Sequence, residues 1–179
     1  MGVTPGAVIP GRGAAALKAD GYRFVVAVEP AAGDFDPQGH LNNASTVRLF
    51  NDLRMAYVRD EVGAVWVDML RRDRLVVAAR ELHVLYESEG LPGEEFIGAL
   101  RYVRREGKAA VLEQRLVEGA TGRAVARAWV VQLLVQDGKV VDWPAAYFAR
   151  VAAIEGREIQ VGPRRPPEAW GPSDYQRAE

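Results

Sequence analysis

The side chains that can do acid–base chemistry are concentrated in one short segment of the sequence. Residues 33–43, GDFDPQGHLNN, hold two carboxylates, one imidazole and three amides. These polar side chains belong to Asp34, Asp36, Gln38, His40, Asn42 and Asn43. A carboxylate can act as a general base or as a nucleophile, and an imidazole can orient a substrate or share in proton transfer. The segment is therefore a candidate catalytic site.

The same residue types also have a purely structural use. Asp, Asn, Pro and Gly are the commonest residues of loops and helix caps. Asp34 can equally be a turn residue, and Asn42 or Asn43 can equally cap a following helix. Composition alone does not choose between the catalytic and the structural interpretation.

The polar segment lies between a strand-like run and a helix-like run. Residues 22–30, YRFVVAVEP, are rich in β-branched residues and predict a first strand. From residue 45 to about 62 apolar residues recur at three- and four-residue spacing, which predicts one long amphipathic helix. Pro37 and Gly39 interrupt regular structure between the two runs, so we expect a loop at the helix N-terminus. Unpaired backbone N–H groups at such an end can stabilise an oxyanion.

Strand-like segments dominate the sequence after this helix. The predicted strands are residues 75–87, 96–105, 110–117 and 124–136, with a short return through residues 140–141. One long helix followed by an antiparallel sheet is an α+β arrangement, in which the sheet wraps one face around the helix. An open sheet edge can be covered by a second copy, so we expect a homodimer or a dimer of dimers.

Composition excludes several classes of protein and site. With 179 residues, about half of them apolar, the chain is long enough for one globular domain. Its 23 basic and 24 acidic residues nearly balance, so we expect no nucleic-acid partner. There is no cysteine, and His83, in a predicted strand, is far from His40, so we expect no metal and no cofactor. Signal-peptide and membrane-spanning patterns are missing, and a cytoplasmic location without a membrane partner is the expectation.

The chain divides into three predicted parts. Residues 1–20 are rich in Gly, Ala and Pro and predict a flexible lead-in. Residues 21–155 form the predicted domain. Residues 156–179 are rich in Pro and Arg and predict an extended tail, in which Trp170 and Tyr175 can dock on the domain.

GDFDPQGHLNN, followed by ASTVRLFNDLR, strongly resembles the hotdog-fold thioesterases of the 4-hydroxybenzoyl-CoA type. Their signature has Asp, a few residues, Gly-His-(Val or Leu)-Asn-Asn and then a helix with Arg. The matching residues are Asp36, Gly39, His40, Leu41, Asn42, Asn43 and Arg54. Thr46 and Asn51 stand where many members have Tyr and Glu. The resemblance covers about residues 22–153 and implies a hotdog fold, with a long central helix wrapped by an antiparallel sheet.

The resemblance also implies an activity and catalytic residues. In the 4-hydroxybenzoyl-CoA enzymes the second acid of Gly-Asp-x-Asp-Pro is catalytic, which corresponds to Asp36. Plant acyl-carrier-protein thioesterases have Asp-x-Asn-x-His, which corresponds to Asp36, Gln38 and His40, with Gln38 one methylene longer than the usual Asn. The implied reaction is hydrolysis of an acyl-CoA or acyl-carrier-protein thioester. In the implied mechanism Asp36 acts as general base or nucleophile, and the backbone N–H at or near Asn43, at the helix start, polarises the thioester oxygen.

Substrate-binding residues are also implied by the resemblance. Gly39 and Asn42 flank the catalytic positions within the motif. Arg104 and Arg105, in the basic run RYVRR, can bind phosphates of coenzyme A or of a carrier protein.

Two other functions remain open at the level of the sequence. Hotdog-fold enoyl-CoA hydratases and dehydratases resemble Gly-Asp-x-Asn-Pro-(apolar)-His, with five positions from Asp to His. Here His40 follows Asp36 by four positions and Asp34 by six, so neither spacing fits. A non-catalytic acyl-binding hotdog protein is the second alternative, since a fold does not fix a function.

Overall fold

The fold has two layers, a broad antiparallel sheet and a long helix packed on one of its faces. The computed structural model describes residues 3–4 and 11–162. The helices are α1 (Arg12–Ala19), α2 (Asn43–Ala56), α3 (Ala64–Arg72) and α4 (Ala145–Glu155). The strands are β1 (Val3–Thr4), β2 (Phe24–Val28), β3 (Leu75–Tyr86), β4 (Phe96–Glu106), β5 (Ala109–Glu118), β6 (Ala124–Gln136), β7 (Lys139–Val141) and β8 (Val161–Gly162). The predicted α+β layout is confirmed.

The strands form one sheet in the order β1-β2-β4-β5-β6-β3. Neighbours along this path are antiparallel, whereas β7 pairs with β6 and the short β8 runs parallel to β4. After β2 the chain crosses to the opposite end of the sheet to form β3, and only then forms the central strands β4 and β5. Strand β3 is twelve residues long and pairs only with β6 within the described part of the chain. One of its edges is therefore open.

Helix α2 has the apolar face that its spacing predicts. The buried residues on this face include Leu49, Phe50, Leu53 and Ala56. They share one apolar core with Leu100, Leu112 and Leu116 of the sheet. The helix continues through a π-helical segment, Tyr57–Val62, and ends at Gly63, whose φ of 106° suits glycine. The long central helix predicted from residue 45 to about 62 is confirmed.

Helix α2 approaches β4 closely at Gly98. A Cβ atom at this position would meet Val28 Cγ2 at 2.8 Å and Leu53 Cδ1 at 3.0 Å. These separations are shorter than van der Waals contact. Glycine at this position therefore sets how deeply α2 lies on the sheet.

Helices α1, α3 and α4 were not predicted. The predicted flexible lead-in is wrong for residues 12–19, which form α1 and bury Ala14 and Leu17 against Tyr22 and Ile97. Runs of Ala and Gly carry little periodic signal, so the burial of one short face was not visible in the sequence.

The domain extends past the predicted boundary at residue 155. Ile159 is buried, and β8 pairs with residues 105–106 of β4. The remainder of the predicted tail, with Trp170 and Tyr175, lies outside the described residues.

Candidate active site

The polar segment forms a closed loop between β2 and α2. Phe35 and Leu41 pair as an isolated antiparallel bridge at its base. Inside the bridge the backbone N–H of Asp36 donates to the carbonyl of His40 at 2.8 Å. The N–H of Gly39 donates to the carbonyl of Asp36 at 2.9 Å, with a φ of 83° at Gly39. The five residues from Asp36 to His40 are thus held as one compact turn.

The two oxygens of the Asp36 carboxylate have different surroundings. Oδ1 accepts hydrogen bonds from the backbone N–H groups of Gln38 and His40, at 2.9 and 3.1 Å. No donor among residues 11–162 bonds Oδ2. One oxygen fixes the orientation of the carboxylate, and the other is available to a reacting molecule.

Asp34 has a structural environment instead. It is buried and accepts from the N–H of Ala31 at 2.7 Å and from Nη2 of Arg48 at 2.6 Å. Burial raises the pKa of Asp34, but the hydrogen bonds from Arg48 and Ala31 lower it by more, so the pKa lies below its ordinary value. Asp34 is therefore ionised at neutral pH. Its ion pair with Arg48 joins the loop to α2.

The N-terminus of α2 faces the Asp36 turn. Asn42 is the cap: its Oδ1 accepts from the N–H of Ala44 at 2.8 Å, and its carbonyl accepts from the N–H of Thr46 at 2.8 Å. The N–H of Asn43 has no acceptor in the described structure. The Asn43 carbonyl accepts from the Tyr86 hydroxyl at 3.3 Å. A backbone donor at the positive end of the helix is thus left available.

These groups line one cavity of about 430 Å³. Its polar lining includes Asp36, Gln38, His40, Asn43, Tyr86 and Glu89. His40 Nε2 lies 3.5 Å from Oε2 of Glu89, an ion pair whenever the imidazole is protonated. The cavity thus combines a carboxylate, an imidazole and a helix N-terminus, which are the groups that acyl transfer to water requires.

A family model described as the thioesterase-like superfamily matches residues 30–151 of the chain. The chain belongs to the thioesterase-like superfamily. The matched region includes the Asp36 turn, α2 and the whole of strands β3 to β7. The comparison with curated proteins found no match.

Solved structures agree with this family. A thioesterase from Thermus thermophilus, determined with coenzyme A and zinc, is 26% identical with a TM-score of 0.67, and the match covers 78% of this chain and 99% of that chain. A 1,4-dihydroxy-2-naphthoyl-CoA thioesterase from Synechocystis is 9% identical with a TM-score of 0.65, covering 72% and 95%. The second likeness bears on the fold alone. The chain is a thioester hydrolase of the hotdog fold.

Arg104 and Arg105 lie outside the cavity that Asp36 lines. Neither side chain is among the residues that line it. Nε of Arg104 lies 2.6 Å from Glu106, and the Arg105 guanidinium stacks 4.3 Å from the ring centroid of Phe148. Their binding of a substrate phosphate stays a prediction.

Tyr86 and Glu89 also line the Asp36 cavity, although the sequence did not predict them as site residues. Tyr86 is the last residue of β3, and Glu89 lies in the polar turn ESEGLPGEE that follows it. His83, in contrast, lies on β3 with its ring centroid 6.1 Å from that of Trp129, and it does not line the cavity.

Within the described residues, no three side chains of His, Asp or Glu lie together as metal ligands would. A bilayer-spanning helix is also missing from the part of the chain that the structure describes.

Proposed function

We propose that the chain hydrolyses acyl-CoA thioesters in the cavity between the Asp36 turn and the start of α2. One observation carries this proposal: Oδ1 of Asp36 is held by two backbone N–H groups while Oδ2 is unbonded, in the same cavity as the N–H of Asn43. A carboxylate fixed in this way needs no reorganisation to react.

Asp36 acts in one of two ways. As a general base it removes a proton from water while the water oxygen bonds to the thioester carbon. As a nucleophile its own oxygen bonds to that carbon, and water then hydrolyses the mixed anhydride. In both cases the C–S bond breaks, the acyl group leaves as a carboxylate, and coenzyme A takes up a proton and leaves as the thiol.

The start of α2 stabilises the charge that develops on the thioester oxygen. As the carbon becomes tetrahedral, its oxygen becomes negative, and the N–H of Asn43 donates to it. The positive end of the helix dipole acts in the same direction. His40 and Glu89 line the same cavity, where the imidazole can orient the attacking water.

The substrate class is an ester of coenzyme A. The Thermus thermophilus thioesterase that this chain resembles was determined with coenzyme A bound. We expect higher kcat/KM for acyl-CoA than for the same acyl group on a carrier protein, measured by thiol release with both substrates.

Asp36→Asn tests the mechanism. The amide oxygen of Asn can still accept from the N–H groups of Gln38 and His40, so the turn is retained. Because the amide can neither take up a proton nor attack a carbonyl, we expect kcat to fall about 100-fold or more. Thiol release and thermal unfolding are measured together.

Asp52→Asn is the matched control. Asp52 lies on α2 and pairs with Arg48 near the surface, away from the cavity. This variant should keep the wild-type kcat. Near-wild-type turnover by Asp36→Asn would rule out Asp36 as base or nucleophile.

A further inference from the structure

A second cavity lies beside the C-terminal half of α2, outside the Asp36 site. Its volume is about 360 Å³. It lies between α2, α3 and β3, and its apolar lining includes Met55, Val58, Trp66, Leu70, Leu75 and Val77. Such a lining suits a hydrocarbon chain.

Arg54 is the one cation that lines this cavity among the described residues. Its Nη1 donates to Oε1 of Gln114 at 2.9 Å, and its Nη2 donates to Oδ1 of Asn51 at 3.1 Å. Both acceptors are neutral amides. No carboxylate of residues 11–162 pairs with this guanidinium. Burial lowers the pKa of Arg54, because the charged form loses hydration.

Two half-buried arginines of the sheet, Arg101 and Arg104, each have an acid beside them. Arg101 lies 2.6 Å from Glu113, and Arg104 lies 2.6 Å from Glu106. A guanidinium carries five N–H donors, and Arg54 uses two of them. Its positive charge in an apolar cavity is thus uncompensated, which is costly unless an anion binds there.

The two cavities lie along the same pair of elements. Asn43 of α2 and Tyr86 of β3 line the first, whereas Arg54 of α2 and Val77 of β3 line the second. Asn43 and Arg54 are eleven residues apart, about 16 Å at the helical rise of ~1.5 Å per residue. An extended acyl chain with its thioester at the start of α2 must therefore span about 16 Å along α2 to bring its far end to Arg54.

We propose that Arg54 binds an anionic group at the far end of the acyl chain, so that the preferred substrates are ω-carboxyacyl-CoA esters. This inference rests on the proposed function. The carboxylate pairs with the remaining N–H groups of Arg54, and the methylenes between the two ends lie on the apolar lining. A chain ending in a methyl group leaves the guanidinium uncompensated and is bound less well.

The test compares matched acyl-CoA esters that differ only at the far end, methyl or carboxylate, over a series of chain lengths. We expect wild type to prefer the carboxylate at the length that reaches Arg54. Arg54→Met should lower kcat/KM for that ester about 10- to 100-fold, mainly through KM, because a charged hydrogen-bond partner is lost. Arg54→Lys should recover part of this preference, and Arg59→Met, at an exposed site on the following turn, should leave it unchanged.

Asn51→Asp gives a second test that keeps the arginine. It replaces the amide that bonds Nη2 of Arg54 with a carboxylate of the same shape. The new acid should neutralise Arg54 and lower the preference for the carboxylate ester, even if Arg54→Met fails to fold. If Asn51→Asp, or a folded Arg54→Met, kept the wild-type preference for the carboxylate ester, the inference would be overturned. Hydrolysis of the methyl esters by the same variants would still support the proposed function.

Binding separates the two proposals further. Calorimetry with the Asp36→Asn variant measures the same pairs of esters without turnover. If wild type hydrolyses no ester but the carboxylate esters still bind more tightly, and Arg54→Met removes that difference, the proposed function fails and the binding of an anionic group by Arg54 stands. Equal binding of both esters overturns the inference.

Discussion

Asp34 and Asp36 are two residues apart, yet their carboxylates have opposite surroundings. Asp34 is buried, and its Oδ2 accepts from Arg48 and from the Ala31 backbone, whereas Asp36 is partly exposed, lines the cavity and accepts only from backbone N–H groups of its own turn. A reacting carboxylate must be reached by substrate or water, so the surroundings of the two carboxylates, and not the residue type, separate the two roles.

Asp34→Asn should lower stability and leave the chemistry in place. Because the pKa of Asp34 is lower in the folded chain than its ordinary value of 3.8, the ionised group stabilises the fold at neutral pH. This contribution is lost as the pH falls below 3.8 through the folded pKa. We expect the variant to lose about 1–2 kcal/mol at pH 7, since Arg48 is partly exposed, and much less at acid pH.

Urea unfolding of wild type and Asp34→Asn at neutral and at acid pH measures this difference. An equal loss at both pH values would show that charge at Asp34 is not the cause.

The sequence predicted which loop holds the candidate site, but not all of its walls. Polar residues next to a helix start are visible in one sequence, as are Asn42 as a cap and the turn residue Gly39. Tyr86 and Glu89 reach the cavity because β3 ends beside α2, and this long-range contact has no local signal. Arg54 was visible only as part of a motif, since its lack of an acidic partner depends on packing.

At the level of elements, the approach of α2 to β4 determines how deeply the C-terminal half of α2 lies on the sheet. Gly98 allows this approach because a side chain there would collide with Val28 and Leu53. The predicted strands and long helix were confirmed because alternation and three- to four-residue spacing continue for ten or more residues. Helices α1, α3 and α4 have only 8, 9 and 11 residues, so each gives two or three turns of spacing from which to predict it.

Gly98→Ala should destabilise the fold by about 1–3 kcal/mol, the usual effect of overpacking a core. The added methyl group displaces Leu53 or Val28 and moves α2 away from the sheet. Thermal unfolding measures the effect. Gly33→Ala is the control, because a methyl group added there would have no neighbouring atom within 4 Å and the φ of Gly33 is not positive. A Gly98→Ala variant as stable as this control would contradict the close approach.

On the scale of the whole molecule, β3 presents an open edge with exposed apolar side chains. Val76, Leu82 and Tyr86 are 59, 40 and 48% exposed. Long, apolar edge strands tend to pair with another chain. We propose that two copies associate through β3, which would also cover the side of α2 that carries exposed Met55.

Leu82→Arg should shift the protein from dimer to monomer, because it introduces a charge into the proposed contact. Light scattering after gel filtration measures the mass. Val161→Arg is the control: Val161 is 66% exposed but lies on β8, at another edge. A wild-type protein that is monomeric at micromolar concentration would contradict the proposed pairing.

The hydrogen bond from the Tyr86 hydroxyl to the Asn43 carbonyl joins the last residue of that edge strand to the first residue of α2. Pairing that reduces the mobility of β3 therefore also reduces the mobility of the Asn43 N–H donor at the helix start. With the proposed β3 pairing, association and turnover are linked by mass action, so we expect activity per chain to decline as the enzyme is diluted from micromolar to nanomolar concentration in a thiol-release assay. The activity per chain would then depend on the protein concentration.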